Sequence, residues 1–428
     1  MALCLLAGVA ASAVGLGWAG CGQKDPVLTF WIGGAPKEID YWGTVIHEFQ
    51  EATGYRVRMV RQPTDSDQRR QELVISLESR QTDPDVFLMD VVWVGQFAHS
   101  GWLEPLDAFV TESGYSLSVF FPRIIHDVDR YRDGLMALPI YVDGGLLYYR
   151  EDLLRQFGYK APPETWDEMV RWAQHIQQEQ RKNDPNFHGF VWQGAQYEGL
   201  VCTFLEFAAS NGGGIMRGDR ISVDTPENLK ALEFMRNLVH RYNVSPPSVY
   251  TEMKEEEVRI VFQRGRALFE RNWPYAWNLH QAEESPVRGK VGIAPLPSFE
   301  GGEHASTLGG WHVGMSRYSD RKDRAWALIQ FITSREIQKE LVLNLGWNPG
   351  RKDLYADHEV LERLPHLAGL RRVFEHAVGR PNIPYYTQVS DVIQRYVNRC
   401  LAEKITPDAA LERMQREIDD ITAIYAED

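Results

Sequence analysis

The sequence predicts an α/β protein built as more than one lobe. Strand-like and helix-like stretches alternate along the chain, the βαβ order of an α/β sheet. At roughly 100–200 residues per domain, 428 residues suffice for two or three cores. No long Gly/Ser linker, short-period repeat or low-complexity segment is present, so the lobes are expected to be joined by short strands. The composition, 44% hydrophobic and 25% charged, places the chain among ordinary globular proteins.

The elements follow in order. Residues 1–20, MALCLLAGVAASAVGLGWAG, carry no charge and run into Cys21, which reads as an export signal; an uncleaved membrane anchor or a simple secretory signal is the alternative. No other stretch approaches the ~18 apolar residues of a membrane span. VLTFWI (27–32) reads as a buried strand. Tyr41, Val45 and Phe49, with Trp42 and Ile46 beside them, mark an amphipathic helix. YRVRMV (55–60) alternates with period two, a strand with one dry face, and DVFLMD (85–90) is a short apolar run between acids, as in a buried parallel strand. Thr165-Trp166-Asp167-Glu168 is a capping-box sequence, Thr225-Pro226 and Thr406-Pro407 start two more helices, and Leu411, Met414, Ile418 and Ile421 form the stripe of the last.

Several classes are excluded. A formal net charge of −13 argues against nucleic acid, which needs a basic face. The chain has no H-E-x-x-H, C-x-x-C, G-x-S-x-G or strand-following G-x-G-x-x-G, and its twelve histidines show no ligand spacing, so no metal or cofactor is expected. Cys202 and Cys400, the remaining cysteines outside the leader, are read as buried unpaired thiols.

What remains is a set of acids and aromatics at element ends. Asp90 closes the strand VFLMD, and ligands of open α/β sheets bind beyond the carboxyl ends of strands. A capping role for Asp90 and a turn role for Asp143, in YVDGG, stay open beside hydroxyl binding. The segment RNWPYAW (271–277) is either a hydrophobic plug or a stacking platform, and Trp311 in TLGGWHVG repeats a Trp beside glycines. Flat rings suit the apolar face of a pyranose, while carboxylates, amides and Arg suit its hydroxyl rim. A site built to bond a hydroxyl rejects a ligand that lacks it.

The segments GGAPKEIDYW, DPDVFLMDVVWVGQF, LPIYVDGGLLYYR, GFVWQGAQYEGLVC, FERNWPYAWNLH, GKVGIAPLP, TLGGWHVG and NLGWNPGR resemble the extracellular solute-binding proteins of ABC importers, most of all those for trehalose and maltose. The likeness runs from about Val27 to Tyr425. It implies a two-lobe periplasmic-binding-protein fold of the maltose-binding type, with discontinuous domains, a ligand cleft between the lobes and hinge strands that let them close. The implied lobes are 26–143 with 306–350, and 144–305 with 351–428, crossing near Asp143–Leu146, Pro297–Ser306 and Gly346–Arg351. The implied sugar contacts are Glu38, Thr64, Arg69 and Asp90 from the first lobe, and Tyr141 and Asp143 from the crossover strand. Trp273 and Tyr275 would stack from the second lobe, with Trp277 packing inward. Gly310 would offer its N–H beside Trp311, and Arg380 would close the far side. For Arg69 and Arg380 the competing role is an ion pair, and for Glu38 a pairing with Lys37. Ala19-Gly20-Cys21 resembles the lipobox of bacterial lipoproteins, although Trp18 stands where Leu is preferred.

Two functions compete. One is a monomeric, exported, lipid-anchored binding protein that takes an α-glucosidic disaccharide and docks onto a membrane permease; sucrose, palatinose, an oligosaccharide or a polyamine are other ligands. The second is a glycoside hydrolase using Asp90, Asp143 and Glu38, which would need two carboxylates about 5–9.5 Å apart with divided protonation.

Overall fold

The computed structural model describes residues 27–425 apart from 219, 369, 371–372 and 374–376; the apolar leader and Cys21 lie outside the described residues. Two sheets organise the chain. The first has the order β2–β1–β3–β9–β4, with β1 Leu28–Ile32, β2 Val57–Arg61, β3 Val86–Asp90, β4 Leu138–Gly144 and β9 Leu308–Met315. Strand β1 runs parallel to β2 and β3, while β9 is antiparallel to β3 and β4. The alternation in 55–60 does produce β2, but as an edge strand: Val57, Met59 and Val60 are only half-buried, so the expected dry face is incomplete. The continuous apolar run of β3 fits its central place, with residues 86–89 buried.

Helices cover one face of this sheet. Ile39, Trp42, Val45, Ile46 and Phe49 of α1 (Pro36–Thr53) share a core with Ile329 of a helix at 322–332 and Leu341 of one at 335–345. Tyr41 differs from the expected stripe: it is half-exposed, and its hydroxyl meets Glu340 at 3.2 Å and Asn344 at 2.8 Å. Helix α2 (Ser66–Glu78) starts at Asp65, whose carboxylate accepts the Gln68 N–H at 3.0 Å.

The second sheet has the order β8–β5–β7–β6, with β5 Leu146–Arg150, β6 His188–Val191, β7 Ala267–Asn272 and β8 Val291–Pro295. Helix α3 (Trp166–Gln180) is capped by Thr165, whose hydroxyl accepts the Glu168 N–H at 3.2 Å. The box is not reciprocal, because the Glu168 carboxylate takes the N–H of Glu164. Helix α4 (Glu198–Ala209) is buried from Glu198 to Ala208. Against it pack α5 (Pro226–His240) and the helix at 386–401, on both of which the last helix lies with Leu411, Met414 and Ile418 buried and Ile421 half-buried, while α6 (Glu255–Gln263) packs against β7 and a helix at 276–280. Cys202 and Cys400 are buried free thiols.

The chain leaves the first sheet for the second at Gly145, between β4 and β5, and returns between β8 and β9. A Cβ at Gly145 would stand 2.0 Å from Glu206 Oε1, so this crossing passes through space that only glycine leaves free.

Candidate functional site

Beyond the carboxyl ends of β3 and β7, between the sheets, lies a cavity of about 470 Å³, within the usual range for small-molecule sites. All eleven residues nominated from the sequence line it. Strand pairing explains why three of them meet: Trp311 on β9 is registered with Asp90 on β3 and with Tyr141 on β4. Gly310 precedes a register irregularity at Trp311/His312 and has φ +132°. A Cβ there would lie 2.3 Å from the Tyr141 carbonyl oxygen.

Each indole in the cavity has a guanidinium against one face. The Arg69 carbon Cζ lies 3.9 Å from the Trp311 ring centre, and that of Arg271 lies 4.0 Å from the Trp273 ring centre. Trp311 also meets Trp93 edge-on at 5.2 Å. Arg69 is more structural than its nominated role implies. Its Nε donates to the Pro63 carbonyl and its Nη2 to that of Thr64, both at 3.0 Å, leaving Nη1 without a described acceptor. Thr64 itself is exposed at the rim and reaches the Gly34 carbonyl at 3.4 Å. Arg271 is buried and forked onto Glu206, Nε to Oε2 at 2.8 Å and Nη2 to Oε1 at 2.5 Å, which fixes it behind Trp273. Tyr275 donates to Glu256 at 2.7 Å, and Trp277 packs against His366 with ring centres 4.9 Å apart.

The acids divide by what already holds them. Glu38 does not pair with Lys37; it accepts the Ala35 N–H at 2.7 Å and the Trp347 indole N–H at 2.8 Å, starting α1 and tying it to Trp347. Burial raises its pKa. Asp90 Oδ1 accepts the Val92 N–H at 3.1 Å, as a capping role would have it, and Arg380 Nη2 at 3.4 Å; Oδ2 accepts from no described residue. Arg380 is spent on protein acceptors too: Nη1 donates to Glu198 at 2.8 Å and Nη2 also to the Leu308 carbonyl at 3.2 Å. It thus serves the ion-pair role while standing in the cavity wall. Asp143 alone among the nominated acids accepts no hydrogen bond from a described residue. Burial, then the charges of Glu38 and Asp90, push its pKa up to about 8 against the pull of Arg271. Burial and the neighbouring Asp143 likewise hold the Tyr141 phenol well above its ordinary range, and its ring lies 4.2 Å from that of Trp347.

Sequence reasoning missed part of the second wall: Glu198, Lys254 and Glu255, together with Asp65 opposite. The run Glu255-Glu256-Glu257 carried a usable signal, three acids in the first turn of a helix. Glu198 carried none, because its importance comes from Arg380, 182 positions away. Among the described residues no cluster of His, Cys, Asp and Glu could hold a metal ion, and no helix is long and apolar enough to cross a membrane.

The arrangement offers ring faces for apolar C–H surface and bare carboxyl oxygens for hydroxyl groups. Asp143, its pKa raised to about 8 by burial, would also suit the acid of a hydrolase if taken alone. The comparisons decide between these. The family model for bacterial extracellular solute-binding proteins matches residues 35–339. A probable ABC transporter-binding protein of Deinococcus radiodurans is 37% identical over 371 residues, covering 86% of this chain and 86% of the relative. The maltose-bound structure of T. maritima MalE3 superposes with a TM-score of 0.87 at 40% identity, covering 92% of this chain and 99% of that one. An ABC transporter solute-binding protein of Thermotoga lettingae bound with α-D-tagatose follows at 0.83 and 29% identity, covering 92% and 99%. These are binding proteins, which sets aside the hydrolase reading of Asp90, Asp143 and Glu38. The chain has the two-lobe periplasmic-binding-protein fold and belongs to the bacterial extracellular solute-binding proteins of ABC importers.

Proposed function

We propose that the protein captures an α-glucosidic disaccharide of the trehalose or maltose kind and delivers it to a membrane permease. One observation carries the reading: indoles from the two separate sheets, Trp273 and Trp311, flank the same cavity as an acid, Asp143, that no described protein group satisfies. Two platforms fit two sugar rings, and a carboxyl without a protein donor fits a hydroxyl. The relative solved with maltose, at 40% identity, supports the disaccharide. The relative solved with tagatose, at 29%, supports a second reading, a single ketose ring.

In this reading the eleven nominated residues are the sugar contacts, with Glu38, Arg69 and Arg380 acting mainly by holding their neighbours. The lobes, 26–143 with 306–350 and 144–305 with 351–428, close on the ligand, and the closed form docks. The mature chain is exported and held to the outer face of the cytoplasmic membrane through a lipid on Cys21, acting as a monomer. Mass spectrometry of the natively expressed protein tests the anchor: an N-terminus at Cys21 without added lipid removes it.

Calorimetric titration against trehalose, maltose, tagatose and glucose tests the ligand. At ~100 times its Kd, a ligand adds ~2.7 kcal/mol of stability. The expected order is disaccharide above monosaccharide; tagatose above both disaccharides selects the second reading.

A further inference from the structure

Two ionic bridges join the lobes across the cavity, and they differ in exposure. The inner one, Asp90–Arg380–Glu198, is buried: the Arg380 side chain is 2% exposed. The outer one joins Lys254 Nζ to Asp65 Oδ2, with side chains 39% and 18% exposed. Both outer residues line the cavity, so this bridge stands between it and solvent. Asp65 precedes α2, beside the first sheet, and Lys254 precedes α6, beside the second, so the pair can form only while the lobes are together. Both ends are held. The Asp65 carboxylate also accepts the Gln68 N–H, and the Lys254 N–H donates to Glu257 at 3.1 Å. On the inner side the ammonium lies 5.0 Å from the Tyr197 ring centre, itself in the cavity wall.

We propose that Asp65 and Lys254 form a bar across the cavity mouth, which retains the bound sugar and limits its length. The inference rests on the disaccharide reading and adds what that reading lacks, a reason for the site to stop at two rings. A ligand continuing past the mouth must break the bar and leave an ammonium and a carboxylate facing its chain. A ligand that fits beneath leaves the pair intact and departs only after the pair opens. The bar therefore acts on release more than on capture. Since both groups touch solvent, salt weakens it.

The test uses the mature chain and two variants. Lys254→Ala removes the bar, and no backbone group depends on that side chain. Asp65→Asn removes the charge but keeps an oxygen for the Gln68 N–H. Maltose and maltotriose affinities are measured by calorimetry, and maltose release by stopped-flow indole fluorescence at low and high salt. Wild type is expected to prefer maltose and to release it faster as salt rises. Both variants are expected to release maltose about fivefold faster, with little salt dependence, and to narrow the maltotriose-to-maltose Kd ratio by about fivefold. An unchanged release rate or an unchanged ratio in both variants overturns the bar. If wild type binds neither sugar, the disaccharide reading itself falls and takes the bar with it, an outcome distinct from a wild type that binds while its variants behave identically.

Discussion

The Arg69 guanidinium lies over Trp311, its carbon 3.9 Å from the ring centre, while its nitrogens hold the carbonyls of Pro63 and Thr64. The loop before α2, the arginine and the indole are therefore one rigid unit, and only the far face of Trp311 is left for a ligand. A lysine would keep the charge but lose the planar fork and the stacking. Arg69→Lys is expected to weaken disaccharide binding about tenfold, and Trp311→Ala to abolish the ligand-induced rise in melting temperature. Titration of the two variants checks this, and wild-type affinity in Arg69→Lys would show that the indole needs no backing.

Asp143 predicts a pH signature for the empty protein. Its folded pKa, about 8, stands above the ~3.9 of an unfolded Asp. The folded state therefore holds an extra proton between those values, and its advantage is complete at low pH and lost as pH rises through about 8. Burial is the main cause, followed by the charges of Glu38 and Asp90, with Arg271 opposing. Asp143→Asn has no charge to bury. Its melting temperature is expected to match wild type near pH 4 and exceed it by about 2–5 °C at pH 8. Parallel pH profiles for the two proteins would mean that Asp143 is ionised and solvated in the empty cavity.

The first strands, and Asp90, Asp143, the RNWPYAW segment and Trp311 among the cavity residues, were legible from local pattern, whereas Glu38, Thr64, Arg69, Tyr141, Gly310 and Arg380 came only with the family resemblance. The run VFLMD placed Asp90 at a strand end, and the Trp-Gly spacing placed Trp311 beside bare backbone. Engagement was not legible. That Arg380 is held by Glu198 depends on a helix start at QYEG with no cap signature, brought to the far end of the chain. That Glu38 serves Ala35 and Trp347 instead of Lys37 depends on the chain turning back at residue 346. The incomplete dry face of the strand read at 55–60 has a similar cause: alternation reports a pleat, and only the sheet order makes it an edge.

Arg380 is expected to matter more for the fold than for affinity. It is buried between Asp90 and Glu198, and Glu198 also accepts the Tyr386 hydroxyl at 2.5 Å and that of Ser390. Removing one partner of a buried pair leaves charge uncompensated, at a cost of about 3–5 kcal/mol. Arg380→Met should lower stability in urea by that order. The double variant Arg380→Met/Glu198→Gln should recover part of it, because the stranded carboxylate is gone. A double variant no more stable than the single one would place the loss in packing.

Gly309 and Gly310 separate fold from function at adjacent positions. A Cβ on Gly309 would stand 3.1 Å from Trp273 Cζ3 and 3.4 Å from Asp143 Cβ, close enough to push an indole by a few tenths of an ångström. A Cβ on Gly310 would stand 2.3 Å from the Tyr141 carbonyl oxygen and 3.0 Å from Val142 Cα, in a backbone conformation, φ +132°, that alanine resists. Gly309→Ala should therefore bind disaccharide about three- to tenfold more weakly with unchanged stability, since only the Trp273 platform moves. Gly310→Ala should prise β9 from β4, breaking the register that sets Trp311 beside Asp90 and Tyr141. It is expected to lose about 2–3 kcal/mol of stability together with binding. Urea unfolding and calorimetry on both variants give the comparison. Equal stability for the two would mean that the backbone around Gly310 and the irregularity at Trp311/His312 relax, and that the register of β9 is held from the β3 side alone.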